Sequence, residues 1–169
     1  MDAVKAMLSR RSIRSYTTQP VQDEVVTELL TAAMSASSSG DAQPWHFIVI
    51  QEHRVLDKIA KLHPHSQTIG EAPVVIVVCA DERAQKYMGL LVQDCAAATQ
   101  NLIVAAHAKG LGAAWLRVFP VKEMISAVRE VLSTPKHVTP FSLIPLGHPA
   151  EKKPPINRYA SERIRYNTW

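Results

Sequence analysis

Hydrophobic residues recur along the chain at two spacings, which predicts alternating helices and strands. Val25, Leu29 and Ala33 follow one another every four residues and would form one face of a helix. Residues 73–80 are mostly apolar and β-branched, a composition typical of a strand buried on both faces. These patterns predict helices over residues 2–9, 22–36, 52–62, 84–109 and 120–132, and strands over 45–51, 73–80, 113–118 and 141–146.

Polar or proline-containing stretches separate these elements. Residues 37–44 and 63–72 have the composition of loops, and Gly110 is placed to end the long helix. From residue 148 onward the chain is rich in proline and charge and has no periodicity. Because no internal repeat or linker interrupts the pattern, we expect one α+β domain over residues 1–169, ending in an extended tail of residues 148–169.

The composition is that of a globular protein and excludes several other classes. Hydrophobic residues make up 47% and charged residues 20% of the 169, which fits neither intrinsic disorder nor a cysteine-rich scaffold. The longest apolar run, residues 72–80, is less than half of the ~20 residues that a membrane-spanning helix needs. Cys79 and Cys95 lie in apolar segments, so we expect buried thiols in a reducing compartment, the cytoplasm.

The formal net charge of +4 is distributed unevenly. The basic residues concentrate at the two ends of the chain: Arg10, Arg11 and Arg14 at one, and Lys152, Lys153, Arg158, Arg163 and Arg165 at the other. Two small basic clusters separated by a neutral middle favour a phosphate group held from two sides over a nucleic acid. An aromatic fraction of 6% gives little support to the alternative, a polyanion-binding module.

The first basic cluster reads Arg-Arg-Ser-Ile-Arg over residues 10–14. In an extended backbone Arg10, Ser12 and Arg14 would share one side, and in a helix Arg10 and Arg14 would align. Guanidinium groups bind phosphate oxygens in pairs of hydrogen bonds, and a hydroxyl adds another donor. The segment is therefore a candidate phosphate site, with a solvated basic turn as the alternative.

The second candidate is the polar stretch Ser37-Ser38-Ser39-Gly40-Asp41-Ala42-Gln43-Pro44, which precedes an aromatic strand. Short polar side chains on a loop between rigid elements suit recognition of the edge of a heterocycle. The alternative is an ordinary connection between a helix and a strand.

Other motifs point away from familiar sites. The chain contains no CxxC, HExxH or GxSxG, and Trp115 stands where a dinucleotide-binding loop beginning at Gly110 would need its third glycine. We interpret His63-Pro64-His65 as a solvated turn rather than a metal site, and His107 as a hydrogen-bonded histidine of an apolar helix.

Five segments in consistent order resemble the nitroreductase family of flavin enzymes. They are residues 10–14, 33–45, 110–116, 144–153 and 158–169, and together they extend over essentially the whole chain. The resemblance implies an α+β fold with a mixed or antiparallel sheet flanked by helices. It also implies an intertwined homodimer that exchanges C-terminal tails and holds two FMN molecules at the subunit interface, each in a site built from both chains.

The resemblance assigns roles residue by residue. Arg10, Ser12 and Arg14 would hold the FMN phosphate and ribityl chain with Arg11 nearby, and Arg158, with Lys153 as a second candidate, would return to the same phosphate. The partner subunit would present its polar loop to the isoalloxazine ring through Ser37, Ser38, Ser39, Asp41 and Gln43. Backbone of Trp115, Leu116 and Arg117 would lie beside the ring, and Pro145, Leu146 and Gly147 would cover it.

The function implied is that of an FMN-dependent oxidoreductase. It would take a hydride from NADH or NADPH and pass electrons to a nitroaromatic or quinone-like acceptor by a ping-pong mechanism, with no side-chain nucleophile. The alternatives are a flavin enzyme with a narrow substrate, for reductive dehalogenation or ring modification, and a non-catalytic flavin- or polyanion-binding protein.

This chain departs from the family pattern at Asp41, where the family commonly has Asn. An ionised carboxylate only accepts hydrogen bonds, so it would repel an anionic reduced flavin and lower its reduction potential. We therefore expect Asp41 either to pair with an arginine or to face away from the ring. The chain also lacks the helices that longer relatives insert over the flavin, which leaves the substrate pocket undefined.

Overall fold

The computed structural model describes residues 1–87 and 89–169. The elements in chain order are α1 (Ala3–Ser9), α2 (Asp23–Met34), β1 (Trp45–Ile50), α3 (His53–Leu62), α4 (Ser66–Gly70), β2 (Val74–Asp81), α5 (Leu91–Ala108), β3 (Gly112–Ala113), β4 (Leu116–Arg117), α6 (Lys122–Leu132) and β5 (Val138–Gly147), with two short 3-10 helices at Ser39–Asp41 and Ser161–Arg163. None of the described helices is long and apolar enough to cross a membrane.

The described strands form one antiparallel sheet in the order β1-β2-β5-β3, and β4 also pairs with β5. The sheet's central strand β2 is buried along its whole length, as its apolar sequence predicts. Val74, Ile76 and Val78 pack with α2 and α5, while Val75 and Val77 face α3, α4 and α6. The protein is therefore a three-layer α+β structure, as predicted, and the sheet is antiparallel rather than mixed.

The predicted strand over 113–118 is wrong as one element, because it divides into β3 and β4. Both pieces keep the same register on β5: Gly112 lies opposite Gly147, and Arg117 lies opposite Ser142. Between them Ala114 N–H still donates to the Pro145 carbonyl at 3.2 Å, so the strand is interrupted without a change of register. That interruption places Trp115, half-buried, at the edge of the sheet.

Two other predictions need correction. The helix expected over 84–109 begins only at Leu91, because residues 82–84 turn around Asp81 and Gly89 has a φ of 85° in the left-handed region. The loop expected over 63–72 contains α4, a helix too short for its periodicity to be detected in the sequence. It is held by the burial of Ile69.

Candidate functional site

The N-terminal segment, residues 10–16, crosses the edge of the sheet next to β3. Ile13 N–H donates to the carbonyl of Ala113 at 3.0 Å, and Ser12 forms a bridge with the same residue. The buried Tyr16 hydroxyl lies 2.7 Å from the Ile13 carbonyl oxygen and 2.9 Å from that of Pro145. The segment is therefore extended and fixed to the sheet, not a loose basic turn.

A glycine makes this approach possible. A Cβ atom on Gly112 would lie 2.6 Å from Cγ2 of Ile13, closer than side chains pack. The segment can lie against β3 only because this position has no side chain.

The structure brings arginines from both ends of the chain together. Arg10, Arg11 and Arg158 line a cavity of about 750 Å³ between α1 and residues 155–159. Partial burial lowers the pKa of Arg10, and the positive charges of Arg158 and Arg11 lower it further. Among the described residues that line the cavity none is acidic. Three cations without a counter-charge make this a site suited to an anion.

A second cavity has a volume of about 460 Å³ and includes one residue of the N-terminal segment in its lining. Its lining includes Arg14 and the three consecutive residues that the family resemblance places beside the ring, Trp115, Leu116 and Arg117. Leu116 is buried beneath it, and the indole of Trp115 packs on Phe141 with ring centroids 6.0 Å apart. Residues from two of the predicted groups thus share a cavity large enough for a heterocycle.

Lys153 binds the backbone of the N-terminal segment, whereas the arginines line a cavity. Its ammonium group donates to the Ser12 carbonyl at 2.7 Å and lies 3.0 Å from the Glu151 carboxylate. Glu151 in turn accepts from the Arg14 backbone N–H at 2.6 Å. These contacts lower the pKa of Glu151 below its usual range. Lys153 therefore ties the tail to the N-terminal segment within one chain.

The polar loop, residues 37–43, has an unusual backbone held by its own hydrogen bonds. Gly40, Asp41 and Gln43 all have positive φ values, between 45° and 61°. Ser38 Oγ accepts from the Gln43 N–H at 3.0 Å, and the Gln43 side-chain amide donates to Asp41 at 2.7 Å. Non-glycine residues are held in this region only where the surroundings require it, which is common in binding loops.

Asp94 on α5 anchors this loop and was missed in the sequence. Its carboxylate accepts from both the backbone N–H and the hydroxyl of Ser39, each at 3.0 Å. Asp94 is buried, so the anchor is a charge-assisted contact protected from water. In the sequence it is only one acidic residue inside the helix predicted over 84–109, 55 positions from its partner.

The structure does not bring every predicted site residue to the cavities. Ser37, Ser38, Ser39, Asp41 and Gln43 line neither of the two described above. The same holds for Pro145, Leu146 and Gly147, which are buried in β5. Asp41 is exposed and accepts from Gln43, and no ion pair to an arginine is recorded for it within residues 1–87 and 89–169.

The interpretation of His63-Pro64-His65 as a solvated turn is wrong for its first residue. His63 is only 8% exposed, and both histidines line the cavity of Arg14 and Arg117. The signal available in the sequence was their position directly after an amphipathic helix. In the described part of the chain, no group of three or more His, Cys, Asp or Glu residues could hold a metal ion.

The structure is thus an antiparallel three-layer α+β fold with one arginine-lined cavity and one cavity bordered by an aromatic ring, the class of architecture that suits a small phosphorylated ligand. The chain belongs to the nitroreductase family, whose family model matches residues 7–66 and 62–148.

Individual relatives agree with this assignment. A Methanothermobacter thermautotrophicus protein, provisionally named NADH dehydrogenase/NAD(P)H nitroreductase, is 43% identical over 169 residues, which is 100% of this chain and 88% of that protein. A crystal structure of a protein given the same provisional name, from Parabacteroides distasonis, matches with a TM-score of 0.94 and 38% identity over 99% of this chain and 98% of its own. A provisionally named nitroreductase from Desulfovibrio desulfuricans, solved in complex with FMN, matches with a TM-score of 0.86 and 31% identity over 100% of this chain and 98% of its own.

Proposed function

We propose that this protein is an FMN-dependent oxidoreductase, in which bound FMN takes a hydride from NADH or NADPH and passes electrons to an electron-poor acceptor, nitroaromatic or quinone-like, in ping-pong order. The observation that carries the proposal is the convergence of arginines from the two chain ends at the N-terminal segment. The FMN-bound relative supports the choice of cofactor. The class of activity, an NAD(P)H-dependent oxidoreductase, is that of the named relatives.

The residues present suit FMN in both charge and shape. Arg10, Arg11 and Arg158 supply three cations for the phosphate, which carries up to two negative charges. Burial and, after it, the positive charges of Arg158 and Arg11 lower the pKa of Arg10, and a bound phosphate would offset that positive charge. Arg14 lies on the second cavity, so one continuous segment supplies cations to both ends of a ligand that spans them.

The ring end of the site would be formed by Trp115, Leu116 and Arg117, with their backbone groups beside the ring. The cavity has an apolar floor at Leu116 and no thiol or carboxylate among its described lining residues. These residues orient the ring and exclude water from one face, and protons come from solvent. On β5, Leu146 and Gly147 pair with Ala113 and Gly112 of β3, just before this wall in the chain, and in this proposal Pro145, Leu146 and Gly147 cover the ring.

A second copy of the chain completes the site in this proposal. Val4, Met7 and Leu8 on α1 are 62–73% exposed, and in the tail Tyr159 is 74% and Tyr166 81% exposed. Apolar surface of this extent is typical of an interface between subunits. We place the polar loop of one subunit against the ring held by the other, because within its own chain the loop lines neither cavity.

The decisive test begins with the purified chain under anaerobic conditions. We expect FMN to bind, to protect the chain against thermal unfolding, and to lose its yellow colour on addition of NADH or NADPH. Riboflavin, which lacks the phosphate, should bind at least tenfold more weakly because it cannot use the arginines. A chain that binds neither flavin would overturn the proposal.

Acceptor specificity is tested on the reduced protein. Rapid reoxidation by several nitroaromatics and quinones, with parallel-line kinetics, supports a broad ping-pong enzyme. Reoxidation by one halogenated or ring-modified substrate alone would favour the narrow flavin enzyme instead.

Both free cysteines are buried, and we place the protein in the cytoplasm.

A further inference from the structure

The buried imidazole of His63 joins two walls of the second cavity. Its Nδ1 accepts a hydrogen bond from the backbone N–H of His65 at 3.1 Å. Its Nε2 lies 3.2 Å from the carbonyl oxygen of Arg117, which can only accept, so Nε2 carries the proton. This pair of contacts is satisfied by one form of the ring alone, the neutral Nε2–H tautomer.

The two contacts fix different parts of the fold. The bond to His65 holds the turn between α3 and α4, which presents His65 to the cavity. The bond to Arg117 holds the backbone of β4, whose residues form the opposite wall. His63 and Arg117, which this hydrogen bond links across the two walls, are 54 positions apart in the sequence.

We propose that His63 is a positioning residue for FMN, whose neutral ring ties the His65 turn to the Arg117 backbone and whose protonation releases that tie and weakens FMN binding. The inference rests on the proposed function, because it assumes that FMN occupies this cavity. It adds an acid-sensitive control of cofactor retention to that function.

Burial and the neighbouring charges act on the His63 ring in the same direction. Burial lowers the pKa of His63, and the charges of His65 and Arg117 lower it further, while the hydrogen bond to the Arg117 carbonyl opposes them. Arg14, across the same cavity, is the other cationic group on this lining. The pKa of His63 therefore lies below the ordinary histidine value of about 6.5, and the neutral form is favoured at neutral pH.

Protonation cannot be accommodated in the present geometry. A second proton would sit on Nδ1 and point at the His65 N–H, so two donors would face each other and the turn would have to move. If FMN binds the neutral form, then each FMN bound at acid pH releases up to one proton. The logarithm of Kd should then rise by up to about one unit for each pH unit below the His63 pKa.

The test measures FMN affinity by quenching of flavin fluorescence from about pH 5 to pH 8. The key variant is His63→Asn, because its amide oxygen can replace Nδ1 as the acceptor but does not titrate. The FMN phosphate itself takes up a proton near pH 6, and this contribution is common to all variants. His53→Asn, an exposed histidine on α3, is the matched control.

At neutral pH we expect His63→Asn to bind FMN within about fivefold of the wild type, since one neutral hydrogen bond is lost. As the pH falls toward about 5, FMN binding by the wild type and His53→Asn should weaken more steeply than FMN binding by His63→Asn, by up to a further tenfold for each pH unit below the His63 pKa. His63→Leu, which loses both contacts, should bind about tenfold more weakly at every pH while its circular dichroism stays native.

Equal pH slopes for His63→Asn and the wild type would overturn the inference and leave the proposed function intact. Loss of the acid slope in His65→Asn but not in His63→Asn would also overturn it, by assigning the proton to the other ring. A wild-type chain that binds no FMN at any pH would instead overturn the proposed function and this inference together.

Discussion

At the residue scale, the Tyr16 hydroxyl is the side-chain contact that fastens the N-terminal segment to the sheet. It is buried between the carbonyls of Ile13 and Pro145. We expect Tyr16→Phe to lower the free energy of unfolding in urea by ~1–2 kcal/mol, because two carbonyl oxygens lose the single buried O–H that they share. Tyr159→Phe, at a ring 74% exposed, should change it by less than ~0.5 kcal/mol. Equal effects of the two substitutions would contradict this role.

The same phenol predicts a dependence on alkaline pH. Burial raises the pKa of Tyr16 above its usual range. A group whose pKa is higher in the folded than in the unfolded state contributes stability that is lost as pH rises. We therefore expect the wild type to lose stability above about pH 10 more steeply than Tyr16→Phe.

Asp41 carries a second prediction at this scale. Its carboxylate accepts from the Gln43 amide, so its negative charge is not neutralised by that contact. If the loop meets the ring of the partner's flavin, Asp41→Asn removes a charge that opposes flavin reduction. The reduction potential of bound FMN, measured against reference dyes, should then rise by about 30 mV, or ~1.4 kcal/mol for two electrons. Asp57→Asn, exposed on α3, is the control, and an unchanged potential in Asp41→Asn would contradict contact with the ring.

At the element scale, the contact between β3 and the N-terminal segment depends on Gly112. A methyl group there would overlap Ile13, whose Cβ would lie 2.7 Å away. Gly112→Ala should therefore destabilise the fold by ~1–3 kcal/mol and weaken FMN binding, because the segment that bears Arg10 and Arg14 must move. Gly70→Ala has no neighbour within 4 Å and should leave both properties nearly unchanged. Thermal unfolding and FMN titration of the two variants measure the difference.

The elements that the sequence predicted well are those with one strong local cause. Strand β2 is recognisable because both of its faces are apolar, and α5 ends before Gly110, whose φ of 81° suits a left-handed C-terminus. The start of α5 was wrong because the turn around Asp81 and the left-handed Gly89 override a helical composition. Helix α4 was missed because five residues carry too little periodicity.

At the scale of the whole molecule, the cationic residues of the candidate site could be predicted from the sequence. The buried residues that hold its backbone in place could not. That Arg10 and Arg158 meet could be predicted, since the two basic ends favour one anion and the family resemblance assigns both residues to the same phosphate. Asp94 and His63 could not, because each acts through a backbone group far along the chain, Ser39 N–H and the Arg117 carbonyl. Such contacts follow from the tertiary fold and leave no pattern in residue spacing.

The last prediction concerns whether two subunits together form each flavin site. If each flavin site takes arginines from one subunit and the polar loop from its partner, then two variants with complementary defects should form an intact site in a mixed dimer. One carries Arg10→Ala with Arg14→Ala and retains its loop, while the other carries Ser38→Ala with Gln43→Ala and retains its arginines. Each alone should bind FMN at least tenfold more weakly than the wild type.

Unfolding and refolding these two chains together in equal amounts would form mixed dimers in about half of all pairs. Each mixed dimer has one site with intact arginines and an intact loop, and one site with both defects. The mixture should therefore recover about a quarter of the wild-type FMN capacity at wild-type affinity. A refolded mixture with no recovery would mean that one chain supplies the whole site, and the exposed α1 face and tail would then need another explanation.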